Sequence, residues 1–463
     1  MEIRAASCSA KQFVCAKVLN GGRAGEMARG TFTGGIHPYE GKELSKDKPI
    51  KTVLPKGDLV YPVSQHIGAP AKPIVAVGDH VLTGQMIAEA GGFVSAPIYA
   101  TVSGTVKSIE KRRLATGAMC DCIIVENDGQ YEEVEFKPAK PYEEMTAQDK
   151  IDAVRTAGVV GMGGAGFPTA VKFSPKEPDK IDYVIANCSE CEPYLTSDYR
   201  RMIEEPELLL EGLKIAVSIF PNARGILAIE DNKPDAIAKF KELTKDEDKI
   251  SVKEVKTKYP EGAERMLIYA CTGREINSSM LPADAGCIVD NVDTLCAVCR
   301  AVKEGRPLME RIVTITGEAV NEPQNYKVRI GTNYRELLDD AGLKSEPAKI
   351  ISGGPMMGFA IFDLDVPTTK TASALTCLSK DEVSALEPSA CINCARCVEV
   401  CPERLVPKNL ADAVEHNDEK TFLSMYGMEC CECGCCSFIC PARRQLTQLI
   451  KGMRKIQLAK RKK

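Results

Sequence analysis

Histidine is scarce in this chain. Among 463 residues there are four, His37, His66, His80 and His416, and none sits in a nucleophile or metal-ligand motif. Each reads as structural, which turns attention away from histidine-based hydrolysis. Long apolar runs are missing too. No stretch approaches the roughly 18 apolar residues of a membrane span, and the first 30 residues carry Arg4, Lys11, Lys17 and Arg23 with no apolar signal core. The chain is therefore expected in the cytosol or attached to a membrane from the cytosolic side. An excess of one charge is also lacking: 60 Lys+Arg against 64 Asp+Glu leave −4, so a globally basic nucleic-acid binder is excluded. Glycine (36) and proline (27) stay near their usual shares, which rules out a collagen-like or low-complexity chain. What remains is an ordinary globular composition, 44% apolar and 27% charged, with length for about three domains.

Cysteine is the exception, and its distribution says more than its total. Of 21 cysteines, ten fall between Cys391 and Cys440. A disulfide scaffold would be short, secreted and evenly Cys-dense. Bunching near one end of a long chain reads as metal ligation in a reducing compartment.

The pattern along the chain divides it. Up to about Arg29 no period is visible, and Met27 reads as the natural start, with an extension upstream of it. From Ile50 to about Glu126 short strands alternate with Gly and Pro, which predicts a small all-β barrel or sandwich. From Asp149 to Val302 the pattern is α/β. Strands are predicted at Ile181–Ala186, Gly225–Glu230 and Ile250–Val255. One helical stretch is predicted over Asp198–Phe220 and another helix opens near Pro234. Such alternation predicts a parallel, doubly wound sheet. Arg311 to about Met357 returns to short β segments with a helix near Tyr334–Ala341. The last residues, Lys451–Lys463, hold seven Lys/Arg. They read either as a docking helix for an anionic membrane face or acidic partner, or as a solvated tail.

Three motifs carry chemistry. Cys391, Cys394, Cys397 and Cys401 are spaced C-x2-C-x2-C-x3-C before Pro402, and Cys430, Cys433, Cys436 and Cys440 repeat that spacing before Pro441. A [4Fe–4S] cluster needs four thiolates around a cube, and in two-cluster ferredoxins the fourth Cys of each run serves the other cluster. One cluster is thus assigned to Cys391, Cys394, Cys397 and Cys440, the other to Cys430, Cys433, Cys436 and Cys401. The competing reading, two zinc sites, usually shows paired C-x2-C knuckles without the trailing Cys-Pro. Cys431 and Cys435 fall out of register and read as packing residues.

The second motif is Gly161-Met162-Gly163-Gly164-Ala165-Gly166-Phe167-Pro168-Thr169 with Lys172. Glycines let a backbone approach a phosphate or a flavin ring and present N–H donors. The spacing matches neither the dinucleotide fingerprint nor the Walker A loop, so a phosphate or flavin loop and a tight structural turn both stand. The third is Asn187-Cys188-Ser189-Glu190-Cys191-Glu192-Pro193, just past a predicted strand, where open α/β sheets place ligands. It reads equally as a polar loop. Cys188/Cys191 and Cys296/Cys299 would form a further metal site only if the fold brought them together.

Gly161–Lys172 followed by Asn187–Pro193 resembles the flavin-binding signature of the NADH-oxidising flavoprotein subunit of respiratory complex I, and Asp290-Asn291-Val292-Asp293-Thr294-Leu295 resembles a further segment of it. The chain is more similar still to the RnfC family, the C subunits of Rnf complexes. The resemblance runs from Gly34-Gly35-Ile36-His37-Pro38 through Lys258-Tyr259-Pro260-Glu261-Gly262 and Leu281-Pro282-Ala283-Asp284 to the paired cysteine motifs. Val77-Gly78-Asp79-His80-Val81 with Gly84-Gln85 is similar to a biotinyl/lipoyl-type barrel sandwich, without an evident carrier lysine.

That resemblance implies a multidomain α/β and β architecture. It runs as an N-terminal extension (1–30), a barrel-sandwich domain (31–135), a Rossmann-like α/β FMN and NAD(H) domain (149–305), a β-grasp SLBB domain (306–365), an α-helical two-cluster ferredoxin-like domain (380–450) and the basic tail (451–463). It implies non-covalent FMN held by Gly161, Gly163, Gly164, Gly166 and Lys172, with Asn187, Glu190, Asn291 and Thr294 lining it. Glu192 and Phe167 are implied as contacts to NAD(H), the substrate. Ser189 stands where complex I has Asp. The implied function is an NAD(H)-reacting electron-transfer subunit. It would sit peripherally on the cytoplasmic membrane face, with other Rnf-type membrane and Fe–S subunits as partners and ferredoxin as an indirect one, coupled to Na+ or H+ movement elsewhere in the complex. Two alternatives are a soluble RnfC-like protein feeding a proline-reductase-type system and a two-cluster ferredoxin-like carrier that has lost flavin.

Overall fold

The computed structural model describes residues 30–344 and 346–461. The expected extension and the Met27 start lie outside the described residues. Strand β1 (Lys51–Val53) comes first. Strands β2 (Leu59–Pro62), β3 (Lys72–Pro73), β4 (His80–Val81), β5 (Met86–Glu89), β6 (Ile98–Tyr99), β7 (Gly104–Arg113) and β8 (Met119–Asn127) follow. They form two small sheets, β2-β8-β7-β4 and β3-β5-β6. Leu59, Tyr61, Ile87, Ile98, Ile123 and Val125 fill the space between them, the alternating apolar faces meeting as a sandwich.

The α/β unit opens with α1 (Ala147–Thr156), whose first turn is held by a reciprocal Thr146/Asp149 capping box, and with the short α2 (Thr169–Lys172). Strand β9 (Tyr183–Cys188) leads into α3 (Ser197–Glu204) and α4 (Pro206–Ser218). The single helical stretch expected over Asp198–Phe220 is thus two helices. Pro206 lacks an N–H and disfavours a helical conformation at Glu205, which sits at φ −130°, ψ 50°. Next come β10 (Arg224–Glu230), α5 (Pro234–Leu243), β11 (Ile250–Val255), α6 (Glu264–Thr272), β12 (Cys287–Asn291) and α7 (Val292–Glu304). The four strands are parallel in the order β11-β10-β9-β12. The order reverses at β9, so a crevice opens between the carboxyl ends of β9 and β12. Helices α4 and α7 bury Leu209, Leu213, Leu295 and Val298 against one face of this sheet.

The last sheet is mixed, built from β13 (Glu310–Thr316), β14 (Gln324–Arg329), β15 (Lys349–Ser352), β16 (Phe359–Ile361) and β17 (Ala374–Leu378), with α8 (Tyr334–Asp340) packed on it. It is wider than the span read from the sequence. Its order is β1-β14-β13-β17-β15-β16, so β1 is an edge strand drawn from the amino-terminal region, and β17 lies centrally although it falls after residue 365.

The cysteine-rich region is an internal duplication with a 39-residue offset, Cys391 to Cys430. Helices α9 (Arg396–Glu399) and α10 (Pro407–Glu415) correspond to α12 (Cys435–Phe438) and α13 (Leu446–Arg461), with α11 (Glu419–Ser424) between the copies. The left-handed residues also repeat: Asn393 and Glu432, Ala395 and Gly434, Arg404 and Arg443. The stretch that reads from sequence as a docking helix or a solvated tail is helical as far as Arg461. Its Met453 is buried in the core of this module, beside Leu410 and Phe422.

Candidate functional site

The glycine loop lies at the mouth of the β9/β12 crevice. Gly161 N donates to Phe167 O (2.8 Å), which closes the loop at its base. Met162 is buried, and its N–H donates to Thr294 Oγ1 at 2.9 Å, so Thr294 anchors the loop to α7. Gly163 lies against Asn291: a Cβ there would stand 3.0 Å from the Asn291 Cβ. At Gly164 an added Cβ would meet nothing within 4 Å, so the turn faces open space. Gly166 has φ +72°, and a Cβ would come 2.8 Å from Thr371 Cγ2. Both handedness and closeness therefore require glycine there. Phe167 is half-buried where the loop turns into α2.

Two asparagines end the strands on either side of the crevice. Asn187 Nδ2 donates to Gly262 O at 2.8 Å. Asn291 caps α7 by accepting from Asp293 N (2.9 Å), and its Nδ2 donates to Asp198 Oδ2 (2.6 Å). Burial, reinforced by the Glu190 and Asp293 carboxylates, pushes Asp198 up to about 8. Lys172 reaches the end of β12, where its ammonium meets Asp290 Oδ1 (2.8 Å) and Val289 O (2.6 Å). Asp290 is buried with Oδ2 unpartnered, and desolvation raises its pKa despite Lys172.

The structure gathers the glycine loop, Lys172, Asn187, Asn291 and Thr294, but not the two glutamates. Glu190 points into the protein and caps α3, accepting from Asp198 N at 2.7 Å and Tyr199 N at 3.3 Å. Lys42 lies beneath it, 3.9 Å from Oε2. Glu192 Oε1 turns toward the 353–358 turn and accepts from Met356 N (2.7 Å) and Met357 N (3.2 Å). The expectation from sequence is a ligand contact for each; in the structure each carboxylate accepts backbone N–H groups that shape the loop.

Several residues of this region carry no evident signal in the sequence. Lys42 is buried and donates to the carbonyls of Glu190 (2.8 Å), Glu192 (3.2 Å) and Leu195 (2.6 Å), pinning the whole 190–195 loop. Glu261 is fully buried with both carboxylate oxygens unpartnered, and burial, then Glu230, pushes it up to about 8. Its only sequence signal is its place in Lys258-Tyr259-Pro260-Glu261-Gly262.

In the duplicated module, backbone N–H groups aim at sulfur. Asn393 N donates to Cys391 Sγ, Glu432 N to Cys430 Sγ and Leu405 N to Cys401 Sγ, each at 3.4 Å. The first two are the same contact in the two copies. Burial raises the Cys397 thiol above its ordinary value. Burial pushes the Cys401 and Cys430 thiols up to about 12. Among the described residues no three His, Cys, Asp or Glu side chains close around a point that would hold a single metal ion, and this covers Cys188/Cys191 with Cys296/Cys299. An all-thiol donor set with N–H···S bonds fits an iron–sulfur cluster. The exposed glycine turn beside the fixed Asn291 fits a flavin or its phosphate.

The Nuo51 FMN-binding domain family matches residues 154–300, the RnfC barrel sandwich hybrid domain residues 30–130, and the SLBB domain residues 312–360. The C subunit of the proton-translocating ferredoxin:NAD(+) oxidoreductase complex of Clostridium ljungdahlii is 45% identical over 82% of this chain and 84% of its own length. The C subunit of the Na(+)-translocating complex of Acetobacterium woodii is 42% identical over 94% of this chain and 99% of its own. The C subunit of an ion-translocating oxidoreductase complex of Vibrio cholerae is 38% identical over 82% of this chain but 49% of its own length.

Proposed function

Because the chain belongs to the RnfC family, we propose that it is the NAD(H)-reacting electron-transfer subunit of an ion-translocating ferredoxin:NAD+ oxidoreductase complex. The observation that supports this best is the crevice itself. A glycine turn open to solvent lies against Asn291, which is paired with Asn187 across the neighbouring strand, and a module with two four-cysteine motifs packs against the same domain.

When bound, FMN supplies the exchange between a hydride pair and single electrons, and the clusters carry single electrons onward. The chain's own residues do the rest. Gly163 and Gly164 let the backbone approach a flavin phosphate or ring. Asn187 and Asn291 keep fixed amide orientations because Gly262 and Asp198 hold them. Burial raises Asp198 beside Asn291, which favours its neutral form and lessens negative charge at the crevice. The eight cysteines give up their protons when iron binds. The balance is one NADH to NAD+, one proton and two electrons.

Among the described residues no helix is long and apolar enough to cross a membrane. We read attachment at the cytoplasmic face as peripheral, through partner subunits, with ferredoxin reached indirectly. Anaerobic purification should give flavin together with about eight irons and eight sulfides per chain, and NADH should bleach the chromophore. A protein with iron but no flavin, or one that NADH leaves unbleached, overturns the proposal.

A further inference from the structure

Gly34-Gly35-Ile36-His37-Pro38 takes no part in the crevice. In the structure it is a strap between two modules. Gly35 N donates to Val400 O at 2.9 Å. Gly34, at φ +88°, lies so close that a Cβ would stand 2.9 Å from Cys401 O. Ile36 and Tyr259 exchange both backbone hydrogen bonds at 2.9 Å. Tyr259 then reaches across to the duplicated module. Its hydroxyl donates to Cys433 O at 2.7 Å, and its carbonyl accepts from Cys435 Sγ at 3.8 Å. Ile36, Tyr259, Cys433 and Cys435 are buried together, with Cys191 packed against them. Cys191 Sγ accepts from Gly262 N at 3.2 Å, and the carbonyl of Gly262 holds Asn187. A packed path therefore joins the crevice to Cys433.

The strap and Tyr259 grip two cysteines of one assigned set, Cys401 and Cys433. The other set is different. Cys394 is exposed, and Ile392 beside it is 66% exposed. We propose that the Gly34–Ile36 strap and Tyr259 are positioning elements that seat the Cys401/Cys430/Cys433/Cys436 cluster site against the flavin crevice. That site is the inner one, and the Cys391/Cys394/Cys397/Cys440 site is the outer one at the surface. Electron transfer falls off steeply with distance, so the inner site exchanges electrons with the crevice first. The inference rests on the flavin and cluster reading above.

The test uses the full-length, anaerobically purified protein with freeze-quench EPR after mixing with NADH, and an EPR-monitored redox titration. Tyr259→Phe and Gly34→Ala should each slow reduction of the first-reduced cluster by about 10-fold. Each should shift the midpoint potential or g-values of that cluster alone. Cys394→Ser should leave the first-reduced signal in place. Should Gly34→Ala fail to fold, Tyr259→Phe, which keeps the ring, decides alone. Loss of the first-reduced signal in Cys394→Ser overturns the inference while the functional reading stands. So do kinetics and signals unchanged in the strap variants. A wild-type protein whose clusters NADH never reduces overturns both.

Discussion

Asp293 lies buried between two arginines, with Oδ1 on Arg201 Nε (2.9 Å) and Oδ2 on Arg311. Desolvation opposes its charge, but the two guanidiniums outweigh it and hold its carboxyl below the usual range. Arg311 belongs to β13, so this one carboxylate joins the α/β unit to the mixed sheet. Asp293→Ala should cost about 3–5 kcal/mol, because it takes the paired carboxylate from buried Arg311 and leaves Arg201 with Glu205 alone; denaturant unfolding would measure it. Lys370 shows the opposite arrangement. It is buried with no carboxylate beside it, donates to Pro97 O and Gly158 O at 2.7 Å each, and burial pushes it down to about 7. In the unfolded chain it keeps its proton to about 10.4. Between those values the unfolded state binds more protons, so stability rises with pH. From pH 7 to 9 the wild type should gain roughly 2 kcal/mol over Lys370→Met, and paired thermal melts across that range would show whether it does. Neither residue announces itself in the sequence: Asp293 sits within a recognisable segment but without a partner, and nothing marks a lysine for burial.

Helix α13 runs on past Met453 to Arg461, with Lys455 and Lys460 exposed. Its inner side holds Ile450, Met453 and the buried Gln457, while Lys460 pairs with Glu419 and Arg454 with Glu432. Met453→Ala should therefore destabilise the duplicated module by about 2–4 kcal/mol, whereas Lys455→Ala, which is exposed, should change it by less than about 0.5 kcal/mol. Unfolding followed by the loss of Fe–S absorbance would separate the two. The charge density that makes this stretch look like a tail is real; the apolar stripe that makes it a packed helix is sparse, and period alone does not reveal its partner. Elements with strong local signals are legible. The strands expected at Ile181–Ala186, Gly225–Glu230 and Ile250–Val255 lie between helices, and the structure places parallel strands at Tyr183–Cys188, Arg224–Glu230 and Ile250–Val255. The paired cysteine spacing locates the duplicated module. The direction in which Glu190 and Glu192 point is not legible, because it depends on N–H groups supplied by α3 and by the turn near Met356, the latter far along the chain.

At the scale of the whole molecule, the amino-terminal region is spent on other modules. Residues 34–36 strap the duplicated module to Tyr259, Lys42 pins the 190–195 loop, and β1 completes the mixed sheet. A chain from which residues 30–53 are deleted should show faster hydrogen exchange in β14 and in the segments around Cys401 and Cys433 together, while β9 and β10 keep their protection. Mass spectrometry of peptic fragments would read both regions at once. The same arrangement has a consequence in time. Lys51 pairs with Tyr326, so a ribosome adding roughly 5–20 residues per second needs on the order of 15–55 s after making β1 to deliver its partner. Gly35 waits longer still, for Val400. The first described segment is thus among the last to be packed completely, because Gly35 gains its partner only after the first cysteine motif has been made.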